Sequence, residues 1–195
     1  PDGTAAVRTP GFEIAVGDFL ANENVFASVR VSGCTFANSR ARALLLQTED
    51  VLVENCSFRG IALPAVLAAP DMVFWNEVGP SRNVTIRDCR FERCATHPTH
   101  AGCLGAVAFK TTHGRAAEGK YPPGVHRDVR IVGNEFADCP RGAIYLASVK
   151  GGEIADNRIA RCGAEVVPDG DPVDEAPARQ AAQEPVGVLV TRKRE

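Results

Sequence analysis

Little in this sequence points to a charged partner. Across 195 residues, 22 basic side chains stand against 24 acidic ones, a formal charge of -2. There is thus no excess of one sign to gather nucleic acid or an anionic lipid surface. No run of about eighteen apolar residues is present, so no segment is fit to span a bilayer as a helix. The chain opens Pro1-Asp2-Gly3 without an initiator methionine or a charged-then-apolar leader, and a processed product or a piece of something longer is the expectation. Aromatics are sparse at 6%, with a single tryptophan. The seven cysteines are odd in number, which forbids complete pairing within the chain. What is present is 45% hydrophobic content in a length suited to one domain, residues 1–195.

That content is periodic. One phrase occurs five times: Val29-Arg-Val-Ser-Gly-Cys-Thr-Phe36, Val51-Leu-Val-Glu-Asn-Cys-Ser-Phe58, Val84-Thr-Ile-Arg-Asp-Cys-Arg-Phe91, Val129-Arg-Ile-Val-Gly-Asn-Glu-Phe136 and Gly152-Glu-Ile-Ala-Asp-Asn-Arg-Ile159. Its Cys/Asn position falls at 34, 56, 89, 134 and 157, giving steps of 22, 33, 45 and 23. The short steps define one coil, and the long ones are coils with insertions. A period in the low twenties means a solenoid. Alternation of valine and isoleucine with polar residues within the phrase is strand periodicity, and β-branched side chains suit a pleated surface. A further apolar strand follows in each coil: 43–46, 65–68, 106–109, 143–146 and 186–190. The pattern predicts an all-β chain, a right-handed parallel β-helix.

The repeat also gives the cysteines places. Cys34, Cys56 and Cys89 share one position with Asn134 and Asn157 and form a predicted ladder at an inward-facing turn. Cys94, Cys139 and Cys162 each follow the phrase's last apolar residue by three and form a second column. Stacked side chains run parallel rather than toward one another, so both columns read as buried, unbridged thiols. Only Cys103 is left over.

Chemistry is expected where the repeat is broken, because a solenoid's insertions emerge as loops. The insertions 69–81 and 110–127 both follow the apolar strand of their coils, whereas 95–104 and 163–184 leave from its other side. The first pair holds Asp71, Trp75, Asn76, Glu77, His113, Lys120, Tyr121 and His126. An indole beside two carboxylates suits a sugar, the ring stacking on the pyranose and the acids accepting hydroxyl hydrogen bonds. The alternative is that Trp75 pins its loop to the wall. Arg40 and Arg42 sit two residues apart in a turn, where alternation points both outward or leaves them as ordinary surface. Cys94, His97, His100 and Cys103 are spaced by threes, as zinc ligands can be. The repeat already gives Cys94 to the core, so no metal and no other cofactor is expected, with zinc on those four residues as the alternative. The acidic stretch Asp169 to Glu175 lacks the order of a calcium loop and reads as a solvated loop.

At these residues the chain resembles the bacterial α-1,3-galactosidases, inverting glycoside hydrolases built on a pectate-lyase-like parallel β-helix. Asn38-Ser-Arg-Ala-Arg-Ala-Leu-Leu-Leu46 is similar to an Asn-x-Arg-Gly-Arg-Gly segment of that family. Pro70-Asp-Met-Val-Phe-Trp-Asn-Glu-Val-Gly-Pro-Ser-Arg-Asn-Val-Thr-Ile86 resembles its Gly-Asp-x-x-x-Trp-x-Glu-x-Gly segment. His126-Arg-Asp-Val-Arg-Ile131 and Ala143-Ile-Tyr-Leu-Ala-Ser-Val149 continue the likeness in order. The family glycines correspond here to Ala41, Ala43 and Pro70.

The resemblance implies a carbohydrate substrate, an α-galactoside, in a secreted or periplasmic enzyme. It marks Arg40, Arg42, Asp71, Trp75 and Glu77 as sugar-facing. The family's Asp-Asp-x-x-Asn-x-His-Gly segment has no counterpart, since no Asp-Asp pair occurs in the 195 residues. The chain therefore resembles the later half of the catalytic domain, with Asp71 and Glu77 the best remaining carboxylates for catalysis. A rival reading is a non-catalytic β-helix that binds glycan or assembles, since exposed solenoid ends invite association into a homo-oligomer.

Overall fold

The computed structural model describes residues 26–71, 77, 79–98, 104–111 and 124–163. Fourteen strands fill them, with no helix among the described residues. Each complete coil contributes three strands. The first coil has β1 (Val29–Ser32), β2 (Thr35–Ser39) and β3 (Leu44–Leu45), and the second β4 (Glu49–Glu54), β5 (Ser57–Ile61) and β6 (Val66–Ala68). The third has β7 (Arg82–Arg87), β8 (Arg90–Cys94) and β9 (Val107–Phe109), and the fourth β10 (His126–Val132), β11 (Glu135–Ala137) and β12 (Ile144–Leu146). The fifth adds β13 (Val149–Ala155) and β14 (Arg158–Ala160). Equivalent strands pair in parallel to make three sheets, β1-β4-β7-β10-β13, β2-β5-β8-β11-β14 and β3-β6-β9-β12. This is the parallel β-helix expected from the repeat.

The register stacks like on like. Val31, Val53, Ile86, Ile131 and Ile154 form one inward column, and Phe36, Phe58, Phe91, Phe136 and Ile159 form another. Successive phenylalanine rings lie nearly parallel, with centroids 5.0, 4.8 and 4.7 Å apart, the spacing that parallel strands impose. Phe58, Phe91 and Phe136 are fully buried, and each such side chain contributes roughly 1.5–3 kcal/mol of hydrophobic stabilisation.

Single left-handed residues turn the chain from the first sheet to the second. Gly33, Asn55, Asp88, Gly133 and Asp156 all have φ between 52° and 68°. Glycine, asparagine and aspartate tolerate that conformation best, which explains why the phrase carries only these three types there.

Immediately after this bend the predicted ladder forms, and hydrogen bonds run along it. The Cys56 N–H donates to Cys89 Sγ at 3.4 Å, the Cys89 N–H to Asn134 Oδ1 at 3.0 Å and the Asn134 N–H to Asn157 Oδ1 at 3.0 Å. Asn134 and Asn157 in turn donate through Nδ2 to the carbonyls of Ile86 and Ile131. Cys56 and Cys89 are buried, but Cys34 is exposed, which corrects the expectation that the whole column lies inside. The physical reason is position: Cys34 belongs to the first described coil, so no described coil stacks on its outer side. The second column places Cys94 and Cys139 in the core and leaves Cys162 half-buried. All six described cysteines are free thiols; Cys103 lies outside the described residues. Burial pushes the Cys89 thiol up to about 12, so it is protonated and unreactive at neutral pH.

On the outer face of the first sheet, Glu54 is nearly buried between arginines of the neighbouring coils. Arg30 donates to Oε1 through Nε and Nη2 at 3.1 and 2.6 Å, and Arg87 does the same to Oε2. These guanidiniums hold the Glu54 carboxyl below its usual range, the Arg87 bond contributing most.

Candidate functional site

The bend from the third sheet back to the first interrupts the regularity. In the second coil the chain leaves β6 at Ala68, reaches Asp71 and returns to β7 at Arg82; in the third it leaves β9 at Phe109 and returns at His126. The ends of the two insertions are joined, since the Arg127 N–H donates to the Ser81 carbonyl at 3.1 Å. Between the ends, residues 72–76, 78 and 112–123 lie outside the described residues, and with them Trp75, Asn76, His113, Lys120 and Tyr121.

Asp71 and Glu77 close the base of the first insertion. The Glu77 N–H donates to the Asp71 carbonyl at 2.9 Å, so the two acids are held as neighbours at the neck of the loop. Gln47, one coil earlier, donates through Nε2 to Glu77 Oε2 at 2.7 Å and fixes the direction of that carboxylate. Gly79 passes so close to Gln47 that an added Cβ would lie 2.7 Å from its carbonyl oxygen. A side chain there would push the loop off the coil beneath it. Both carboxylates remain half-buried, within reach of solvent and a ligand.

Beneath this neck the corner is a buried polar column. Ser81 Oγ donates to the Leu46 carbonyl at 3.0 Å, and the Ser81 N–H donates to His126 Nδ1 at 3.2 Å. With Nδ1 accepting, Nε2 carries the proton and donates to the Lys110 carbonyl at 2.9 Å. His126 is fully buried and meets Phe109 edge to face. Burial pushes its pKa down. His126 belongs by sequence with the chemistry-capable residues of the insertions, but both ring nitrogens are committed to the backbone. It braces the corner instead.

Arg40 and Arg42 lie elsewhere on the coil. Both are exposed in the bend between β2 and β3, before the third sheet rather than after it. The register pairs Leu44 with Val66 and Leu45 with Leu67, which puts about seven residues of strand length, at most roughly 23 Å, between the levels of Arg42 and Asp71. The arginines precede the third sheet in their coil, and the acids follow it in theirs.

For the zinc alternative, Cys94 is wholly buried and its Sγ donates to the Phe58 carbonyl at 3.5 Å. His97 sits beyond it, with its N–H on the Ala62 carbonyl at 2.9 Å. His100 and Cys103 lie outside the described residues.

The outer face of the third sheet was not foreseen from sequence. Leu67, Ala69 and Ala108 form a separate apolar cluster outside the core, and Tyr145 packs against it. Only its alternation with the inward residues Val66, Ala68, Val107 and Phe109 could have signalled it.

No family model matches the chain. Individual proteins do. Alpha-1,3-galactosidase A of Peterkaempfera griseoplana is 32% identical over 150 residues, which is 75% of this chain and 19% of that protein. Alpha-1,3-galactosidase A of Akkermansia muciniphila is 34% identical over 128 residues, 65% of this chain and 19% of that protein. The chain is related to the α-1,3-galactosidases. Alpha-1,3-galactosidase B of Bacteroides thetaiotaomicron extends the likeness, 28% identical over 149 residues, 76% of this chain and 24% of the relative. The galactosidase-related chain thus spans about a fifth to a quarter of the length of these three glycoside hydrolases.

Proposed function

We propose that this chain is a segment of a secreted or periplasmic glycoside hydrolase that acts on an α-galactoside by inversion. In this reading Arg40, Arg42, Asp71, Trp75 and Glu77 face the sugar. The observation that carries it is the neck of the 69–81 insertion, where the Glu77 N–H bonds to the Asp71 carbonyl and Gln47 holds the Glu77 carboxylate, so that two acidic residues share one loop base in a chain related to galactosidases. Inversion uses one carboxylic acid to protonate the leaving oxygen and one carboxylate to activate water, about 6.5–9.5 Å apart. Asp71 and Glu77 are the carboxylates this chain offers.

The chain has no Asp-Asp pair, so turnover is expected to need coils beyond it, while binding survives. Galactose release from an α-1,3-linked galactoside is measured for this chain and for a longer product that contains it. The longer product turns over and this chain does not; Trp75→Ala weakens sugar binding by this chain without altering its fold. Turnover by this chain at a comparable rate, abolished by Asp71→Asn or Glu77→Gln, would place both catalytic acids at the 71–77 neck. Failure of both products to act on the galactoside would leave the non-catalytic module as the reading.

A further inference from the structure

Two hydroxyls at the corner held by His126 are buried without a bond. Thr111 is 1% exposed, and neither its Oγ1 nor the buried Oγ of Ser148 has a hydrogen-bond partner among the described residues. A buried hydroxyl left unpaired is destabilising, and folded proteins commonly satisfy such groups with internal water. The two residues hold one place in adjacent coils. Phe109 pairs with Leu146, and the Ala147 N–H donates to the Phe109 carbonyl at 2.7 Å, so the register runs past the strand ends and sets Thr111 beside Ser148 two positions on. Phe109 and Leu146 both pack in the core, and alternation turns Thr111 and Ser148 inward with them. His126 ties the two segments together independently, since its Nε2 donates to the Lys110 carbonyl at 2.9 Å and its backbone N–H to the Ser148 carbonyl at 3.0 Å.

We propose that one buried water bridges Thr111 Oγ1 and Ser148 Oγ and joins the start of the 110–127 insertion to the coil that follows it. Stacked positions on neighbouring parallel strands lie about 4.8 Å apart, too far for a hydroxyl to bond its counterpart directly at about 2.8 Å. A single water about 2.8 Å from each oxygen spans that gap at an angle close to tetrahedral. The Ser148 carbonyl, which already accepts from the His126 N–H, has a second lone pair to offer as a third partner. Thr111 is closed to bulk solvent, so the ligand is water and not a hydroxyl of a sugar. The coil before carries Pro70 at this place, which has no hydroxyl, and the pair therefore begins at Thr111. The insertion is then fixed at both ends, by the water at Thr111 and by the bond from the Arg127 N–H to the Ser81 carbonyl. This inference is independent of the galactoside reading.

The test combines a double-mutant cycle on the thermal midpoint of the whole chain with a crystal structure of the wild type. Thr111→Val keeps the shape and removes the hydroxyl; it should lower the midpoint by about 2–4 °C, while Thr111→Ser stays nearer wild type. Thr111→Val and Ser148→Ala together should lower it by less than the sum of the two single changes, because either one already releases the water. Ser148 has a φ of 59°, and the cycle cancels any backbone effect of its replacement, since Ser148→Ala stands on both sides. If Thr111→Val holds or raises the midpoint, the hydroxyl has no bond to lose and the inference is overturned. Strictly additive losses overturn it too, because the two hydroxyls then share no partner. The crystal structure decides without any variant: one water oxygen within hydrogen-bond distance of both hydroxyls supports the bridge, and a protein group or an empty space between them overturns it.

Discussion

The first two sheets and the third sheet are built by the same coils and obey opposite rules. In the first two, every position recurs: a β-branched column, a phenylalanine ladder, a left-handed bend and a Cys/Asn ladder pass from coil to coil. Strand length there is three to seven residues. The third sheet has strands of two or three residues, and the bends on either side of it carry the insertions. The repeating half commits its side chains to one another, so little is left for a ligand. The interrupted half holds the half-buried acids at the 71–77 neck and the partly exposed Tyr145.

The largest expected effect breaks the repeating half. Phe91→Ala removes the central ring of the ladder, flanked by Phe58 and Phe136, and should destabilise the chain by about 3–5 kcal/mol in chemical denaturation. Asp71→Asn in the interrupted half should leave the same curve nearly unmoved. A fall of similar size for both would erase the distinction between the halves.

Next in size is Asn134→Ala. It takes the acceptor from the buried Cys89 N–H and the donor from the Ile86 carbonyl, and each orphaned group costs about 1–3 kcal/mol. Asn134→Asp should not rescue it, because a carboxylate keeps the acceptor and loses the donor. Equilibrium unfolding of the two variants measures this.

His126 sharpens the comparison at the joint between the halves. Its folded pKa lies below the usual 6.5 because of burial. Above that value both states are neutral. As pH falls through about 6.5, the unfolded chain binds a proton that the folded chain refuses, so stability should drop until the folded pKa is passed. His126→Gln should lower stability at pH 8 yet flatten this slope, as read from denaturation midpoints across pH 5 to 8. An unchanged slope would mean that another group sets the pH dependence.

The smallest effect is expected at the solvent edge of the repeating half. Arg130 pairs with Glu153 at 2.9 Å, with both side chains about half exposed, and such pairs contribute about 0–1 kcal/mol. Arg130→Ala should shift the unfolding midpoint barely, and less in high salt.

The fold was legible because a solenoid writes its geometry into sequence at fixed spacing. The steps of 22, 33, 45 and 23 between phrases reappear as the strand register Val29, Val51, Val84, Val129 and Gly152. The site was legible only in its parts. Arg40, Arg42, Asp71 and Glu77 are legible as residue types near loops, but nothing in their spacing tells that the arginines precede the third sheet and the acids follow it. His126 looked like chemistry because imidazole is versatile; its two backbone partners, Ser81 and Lys110, are 45 and 16 residues away. Tyr145 was hidden for the same reason, since the cluster it joins is assembled from three coils.

The sequence by itself determined which residues face inward and how often the chain turns. Strand alternation is local, and the residues that tolerate a left-handed bend are few. Only the tertiary structure decided what an outward residue meets. Burial of Glu54 between Arg30 and Arg87, of Ala108 on the outer face of the third sheet, and of Cys89 but not Cys34, depends on which coil lies above and below. Stacking distance is a property of the assembled coils and not of any one repeat.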